Sequence, residues 1–248
     1  MLSLEHVTVA YRDRLAIHDI DLTIEAGERV ALIGPNGAGK STLLSVSTGA
    51  IEPASGVVQL AGRRLDSMNR DEIARRVAVV PGSVSLPFAM RVEEVVALGR
   101  LPYEDPFRGL RPVDRVAILA AIERVGIGHL VGRDARELSL GERQLVLIAL
   151  ALAQGTEILI LDEPTVHLDL RHQVEAMELL ADLNVRDATT IVAVLHDLAL
   201  AAHFFPRVVI LDRGRIVADG PPAETLRDNV IRDIFGVDPA LVRLPVRA

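Results

Sequence analysis

One stretch constrains this chain before anything else: "ERVALIGPNGAGKSTLLSVSTGA", residues 28–50. An apolar run that reads as a buried strand enters a glycine-rich turn and leaves as a helix that stops near Gly49. Gly34 to Ser41 fit G-x-x-x-x-G-K-[ST], in the strand–turn–helix setting that this pattern requires. Glycines let backbone N–H groups turn inward around phosphate oxygens. The helix N-terminus adds partial positive charge. In such a turn Lys40 reaches the β- and γ-phosphates and Ser41 ligates Mg²⁺. The bland alternative is a glycine turn with a solvated lysine.

The rest of the chain is compatible with an α/β protein built around that unit. Half of its 248 residues are hydrophobic and only 3% are aromatic, so the apolar content is Ala, Val, Leu and Ile, as in buried parallel strands and packed helices. A formal net charge of −7 argues against a nucleic-acid partner, which calls for a basic surface. The absence of cysteine excludes disulfides, thiolate metal sites and cysteine nucleophiles. The opening "MLSLEHVTVAYRDR" lacks the apolar centre of a signal peptide. The apolar run "LVLIALALA", 145–153, is far short of the roughly 20 residues that span a bilayer. A soluble chain is expected, with any membrane role supplied through a partner.

Along the chain, "LSLEHVTVAY" and "HDIDLTIEAG" alternate like half-exposed strands, and "SGVVQLAGRRL" reads as a strand pair. "MRVEEVVALGR", "RPVDRVAILAAIERVG" and "GERQLVLIALALAQG" have helical spacing of apolar residues. Strands return as "EILILDEP", "TTIVAVLHD" and "RVVILDRGRIVADG", separated by the helix "RHQVEAMELLADLNVRD". Strand–helix alternation implies a parallel sheet with crossovers. The helical block at about 84–155 reads as an insertion into it.

Three further places carry candidate chemistry. "ILILDEP", 158–164, delivers Asp162 and Glu163 to the C-terminal end of an apolar strand, where α/β sheets place ligands. There Asp162 suits a hold on Mg²⁺ and Glu163 suits polarising an attacking water. His196 follows the strand "VAVLHD" and can reach a γ-phosphate or that water, although a lone histidine at a strand end serves structure equally well. Tyr11 ends the first strand, where its ring can stack on adenine or simply occupy a surface turn.

With these pieces in order the chain resembles the nucleotide-binding subunits of ABC transporters, over nearly its whole length. The resemblance runs from Tyr11 through "GPNGAGKST", "LSLGERQ", "LILDEPTVHLD" and "LHD" to "DRGRIVADGPPAE". It implies a single domain over 1–248: a P-loop NTPase fold with a RecA-like core, an antiparallel β subdomain and the inserted helical subdomain. It implies a head-to-tail homodimer with two ATP molecules at the interface, each phosphate closed on by the partner's signature loop. Nucleotide contacts are then expected from Tyr11, from Gly34, Pro35, Asn36, Gly37, Ala38, Gly39, Lys40, Ser41 and Thr42, and from Ser139, Gly141, Glu142 and Asp169. Glu163, His196 and Lys40 would carry catalysis, and Ser41 and Asp162 would hold Mg²⁺. "LPFAMRVEEVVALGRLPY" and "EPTVHLDLRHQVE" look like importers of iron chelates, haem and cobalamin. The resemblance thus implies transmembrane permease subunits, indirectly a substrate-binding protein, no nucleic acid, and a peripheral place at the cytoplasmic face of the cell membrane. The alternatives are a soluble ABC ATPase of iron–sulfur assembly or DNA repair, and an ATP-gated clamp with very low turnover.

Two residues depart from the family's pattern. Leu140 replaces the first glycine of the signature, a change with a modest expected cost to closure. Gly82 stands where the family carries a glutamine that bridges Mg²⁺, the attacking water and the membrane partner. The bland reading is that Pro81-Gly82 is simply a turn; the sharp one is slower hydrolysis or altered coupling, with Ser83 or a second water as the available substitute, and Gly82→Gln is expected to raise turnover or coupling. Leu145 and Leu150, where relatives often have arginine, are expected to pack in the core. Lys40, Ser41, Asp162, Glu163 and His196 are all retained, which favours an active ATPase.

Overall fold

The computed structural model describes residues 1–12, 14–82, 88–105, 107, 109–166 and 168–242. Ser83 and the first residues of the importer-like stretch, Leu86 and Pro87, lie outside the described residues. The chain divides into two units, residues 1–69 with 181–248, and residues 70–180. The first begins with β1 (Leu2–Tyr11), β2 (Arg14–Ile24), β3 (Arg29–Ile33), α1 (Lys40–Ser47), β4 (Ser55–Leu60) and β5 (Arg63–Arg64). The second carries α2 (Arg70–Ala74), β6 (Val77–Val80), α3 (Val92–Ala97), α4 (Pro112–Val125), α5 (Leu140–Gln154) and β7 (Ile158–Asp162). The boundary falls within α6 (Leu170–Asp187). The first unit then resumes with β8 (Thr190–Val194), α7 (Leu198–Phe204), β9 (Arg207–Asp212), β10 (Arg215–Gly220), α8 (Pro222–Thr225) and α9 (Asp228–Phe235).

In the first unit β2, β1, β4 and β5 form an antiparallel sheet. A second sheet places β3 between β8 and β9, parallel to both, with β10 antiparallel beside β9. Strands β3, β8 and β9 are apolar on both faces because both faces are covered: Val30 to Ile33, Ile191 to Val194 and Val208 to Leu211 are all buried. β1 departs from the simple alternation expected of it. Leu2, Ser3 and Leu4 are buried in succession, and the pairing with β2 shifts between Leu4 and Val7. An extra residue is accommodated there as His6 takes a left-handed φ of 52°, and each one-residue slip swaps the faces of the side chains that follow.

In the second unit β6 and β7 run parallel, from Val77 opposite Ile158 to Val80 opposite Leu161. Helices α3, α4 and α5 enclose one apolar cluster that includes Val92, Val95, Ile118, Ile122, Val146 and Ala149, with Leu145 and Leu150 packed against it. The two leucines are half-buried and pack against this core, in line with the expectation. α4 starts on Pro112, and Asp114 in its first turn is fully buried. Asp114 accepts from the Arg111 backbone N–H at 2.9 Å, from the Arg111 guanidinium at 2.9 Å and from Arg100 Nη2 at 2.9 Å.

The Arg111 guanidinium first, then the Arg111 backbone N–H and Arg100, hold the Asp114 carboxyl well below the usual carboxylate range. A depressed folded-state value stabilises the fold fully above the unfolded carboxylate range, and the contribution fades as pH falls through that range toward the folded value. Asp114→Asn should therefore lower the thermal midpoint at neutral pH. The gap from wild type should narrow as pH drops below about 4, read by calorimetry across a pH series.

Candidate functional site

The first unit supplies a glycine-rich turn directly ahead of a helix N-terminus. Gly39 precedes α1 with φ 106°, and a Cβ there would lie 2.6 Å from the Ala16 carbonyl oxygen of β2, so only glycine fits. The turn is tied down by Ala38 N–H to the Pro35 carbonyl at 3.1 Å and by Gly214 N–H to the Ala38 carbonyl at 2.9 Å. Lys40, the one lysine in the sequence, is 6% exposed. Its Nζ donates to the carbonyls of Gly34 at 2.7 Å and Pro35 at 3.0 Å, which folds the ammonium back over the turn. The first turn of α1 has no acidic residue to offset its positive end. Asn36, Gly37 and Ser41 are exposed along this turn, and Thr42 is half-buried.

β8 lies parallel beside β3, and the Leu195 N–H donates to the Leu32 carbonyl at 3.1 Å. His196 and the glycine turn thus leave neighbouring strands at the same end of the sheet. His196 is exposed, and the next residue, Asp197, caps α7 by accepting from Ala199 and Leu200 N–H at 2.7 and 3.0 Å. Tyr11, 51% exposed, closes β1 opposite Arg14.

The second unit places Asp162 at the end of β7 and Glu163 immediately after it, both half-buried. Glu163 adopts a left-handed φ of 55°. A non-glycine residue held there carries roughly 1–3 kcal/mol of strain. Nothing in the "LDEP" pattern foretells it. β6 delivers Gly82 to the same edge, and a Cβ on Gly82 would lie 2.6 Å from the Asp162 carbonyl oxygen and 3.4 Å from Glu163 Cβ. This contact reverses the expectation for Gly82→Gln. The position is filled by the backbone that carries the two carboxylates, so a side chain there must displace them.

At the start of α5, Ser139 and Glu142 form a reciprocal cap. Ser139 Oγ accepts from Glu142 N–H at 3.2 Å, and Ser139 N–H donates to Glu142 Oε2 at 2.8 Å. That backbone N–H, aided by Arg133 at 3.1 Å, holds the Glu142 carboxyl below its usual value. Leu140 is 54% exposed. Gly141 approaches the start of α6, where an added Cβ would lie 3.3 Å from Leu168 Cδ2. Asp169 accepts from His172 N–H at 2.9 Å, and its Oδ1 lies 2.8 Å from His172 Nδ1. Ser139, Glu142 and Asp169 therefore all serve as helix caps, and Ser139, Gly141 and Asp169 gather where α5 and α6 begin.

Two outcomes follow from this geometry. Glu163→Gly, which fits the left-handed backbone, should raise unfolding stability by about 1 kcal/mol in denaturant titrations, whereas Glu163→Gln should not. Gly82→Gln should cut ATPase activity by about tenfold or more in a phosphate-release assay, because it shifts the peptide between the two carboxylates.

Comparison with known proteins adds an independent line. A family model described as ABC transporter matches residues 17–166. The chain is 38% identical over 244 residues to the iron(3+)-hydroxamate import ATP-binding protein FhuC of Bacillus subtilis, covering 98% of this chain and 91% of that one. It is 43% identical over 222 residues to the hemin import ATP-binding protein HmuV of Nocardia farcinica, covering 90% and 76%. Among solved structures it resembles cbiO1 of Clostridium perfringens, part of the ABC transporter complex cbiONQ, with a TM-score of 0.81 and 28% identity over 97% of this chain and 96% of that one. It also resembles the dimeric bacterial ABC transporter cassette MJ0796, with a TM-score of 0.79 and 27% identity over 90% and 99%. These neighbours are ABC ATPase cassettes and carry the P-loop NTPase fold that the motifs imply. By matched family model, by near full-length relatives and by fold, the chain belongs to the ABC transporter family.

Proposed function

We propose that the chain is the ATP-hydrolysing subunit of an importer, that its cargo is an iron chelate, haem or cobalamin, and that it works as a homodimer on membrane-spanning permease subunits. The observation that carries the ATPase reading is the glycine turn, whose single lysine is folded back onto the carbonyls of Gly34 and Pro35. Relatives named as import ATP-binding proteins for hydroxamate, hemin and cobalamin support the cargo class. Among the described residues no helix is long and apolar enough to cross a membrane, which fits a subunit that meets the bilayer through a partner.

The donor set suits Mg²⁺. Ser41 in the first unit offers a hydroxyl and Asp162 in the second a carboxylate, each by itself a hard oxygen ligand of the kind Mg²⁺ takes, with no competing thiolate in the sequence. When bound, the ion offsets phosphate charge. The chain's own residues do the rest. In the first unit, backbone N–H groups of Asn36, Gly37 and Gly39 to Thr42, with the α1 N-terminus, hold the phosphates, and Lys40 leaves its carbonyls to meet them. His196 steadies the terminal phosphate, and Tyr11 stacks on the base. In the second, Glu163 orients and polarises the attacking water. Ser139 and Gly141, at the N-terminus of α5, close on the phosphate held by a second copy.

Because Lys40 is the only lysine in the sequence, an amine-reactive reagent labels no other side-chain amine, and Lys40 reacts as its ammonium leaves the two carbonyls. MgATP should protect Lys40 from modification, read by peptide mass spectrometry, and Glu163→Gln should abolish phosphate release while ATP-bound dimers accumulate. Equal labelling with and without MgATP, together with equal phosphate release from both proteins, would refute the assignment.

A further inference from the structure

Arg100 stands in the importer-like stretch 86–103, where its only role so far is its bond to Asp114, yet it engages several elements of the second unit. It is 8% exposed and sits in the 3-10 turn Leu98–Tyr103 that follows α3. Its Nε and Nη2 donate to Asp114 Oδ1 at 3.1 and 2.9 Å, which fastens the turn to the start of α4. Its Nη1 donates to the carbonyls of Ala153 at 2.8 Å and Gln154 at 3.3 Å, the last residues of α5. A cation at the C-terminal carbonyls of a helix meets the negative end of its dipole. The guanidinium carbon lies 4.0 Å from the Tyr103 ring centroid, and Arg75 stands 5.4 Å from the same ring. Gly99 completes the seam, since a Cβ there would lie 2.2 Å from the Leu150 carbonyl oxygen of α5.

One guanidinium therefore holds three elements together: the 98–103 turn, the first turn of α4 and the last turn of α5. The other end of α5, about 22 Å away for fifteen residues, carries Ser139 and Gly141. Leu98 and Leu101 of the same turn are 37% and 57% exposed, so the turn is both an outer surface and the anchor of that helix.

We propose that Arg100 is a positioning residue for the signature turn, fixing α5 to the 98–103 turn and to α4 so that Ser139 and Gly141 are presented as part of one rigid body. The proposal rests on the ATPase reading above. Arg100 touches no nucleotide; it acts through α5. The fork geometry is essential to this role, because the side chain must serve a carboxylate and two carbonyls at once over an aromatic ring. Lysine brings the charge without the fork.

The test uses the full chain carrying Glu163→Gln, with ATP-driven dimerisation followed by analytical ultracentrifugation and nucleotide binding followed with a fluorescent N-methylanthraniloyl ATP. Arg100→Gln should leave nucleotide affinity and a stoichiometry of one per chain unchanged, while raising the dimer dissociation constant about tenfold. In the chain with Glu163 intact, kcat should fall by a similar factor at constant KM for ATP. A residue serving only to hold the fold together would instead lower the nucleotide stoichiometry. Should Arg100→Gln lose that stoichiometry, Arg100→Lys, the milder change, carries the same test with an expected loss of about threefold. Wild-type dimerisation in a correctly folded Arg100 variant overturns the proposal alone. Failure of the parent chain to bind nucleotide overturns the ATPase reading and this one with it.

Discussion

The glycine turn depends on the space denied at residue 39. Backbone from β2 occupies the place where a Cβ would be, so the turn must run in a left-handed path directly into α1. That path aims the first N–H groups of the helix into the turn, which is where the electrostatics for binding an anion arise. It also brings the carbonyls of Gly34 and Pro35 within reach of Lys40, so the lysine charge is satisfied internally. A single steric exclusion thus sets backbone direction, dipole and side-chain placement together.

The second unit applies the same device for a different end. Gly82 leaves room for the Asp162 peptide, and Glu163 is held in a conformation that most residues avoid. Strain of this kind persists only where the surroundings over-determine it. Here the parallel β6–β7 pair and the tight turn after Glu163, closed by Val166 N–H to the Glu163 carbonyl at 3.1 Å, supply the constraint. The absent glutamine at 82 and the strained glutamate at 163 therefore belong to one packing solution.

Capping unites three of the remaining site residues, Ser139, Glu142 and Asp169. Ser139 with Glu142, and Asp169 with His172, each satisfy the start of a helix. A helix start so finished keeps its remaining N–H groups oriented outward and available. The substitution to Leu140 is accommodated because the side chain is exposed at the first position of α5.

Much of this protein was legible in its residue order. The buried parallel strands showed as unbroken apolar runs at 30–33, 191–194 and 208–211. The glycine turn showed as spaced glycines before Lys40, and the carboxylate pair as charge placed at a strand end. Such features are local, with periods and spacings that the chain itself carries. Three things escaped this reading: the bulge at His6, the left-handed backbone at Glu163 and the grip of Arg100 on Asp114 and on the last carbonyls of α5. Each depends on partners distant in the chain, and only the packed structure brings those into contact. Local chemistry was decided by sequence, because dipoles, charges and backbone freedom belong to neighbouring residues; which glycine is compulsory and which arginine is structural was decided by tertiary packing, because exclusion and pairing belong to residues that meet only on folding.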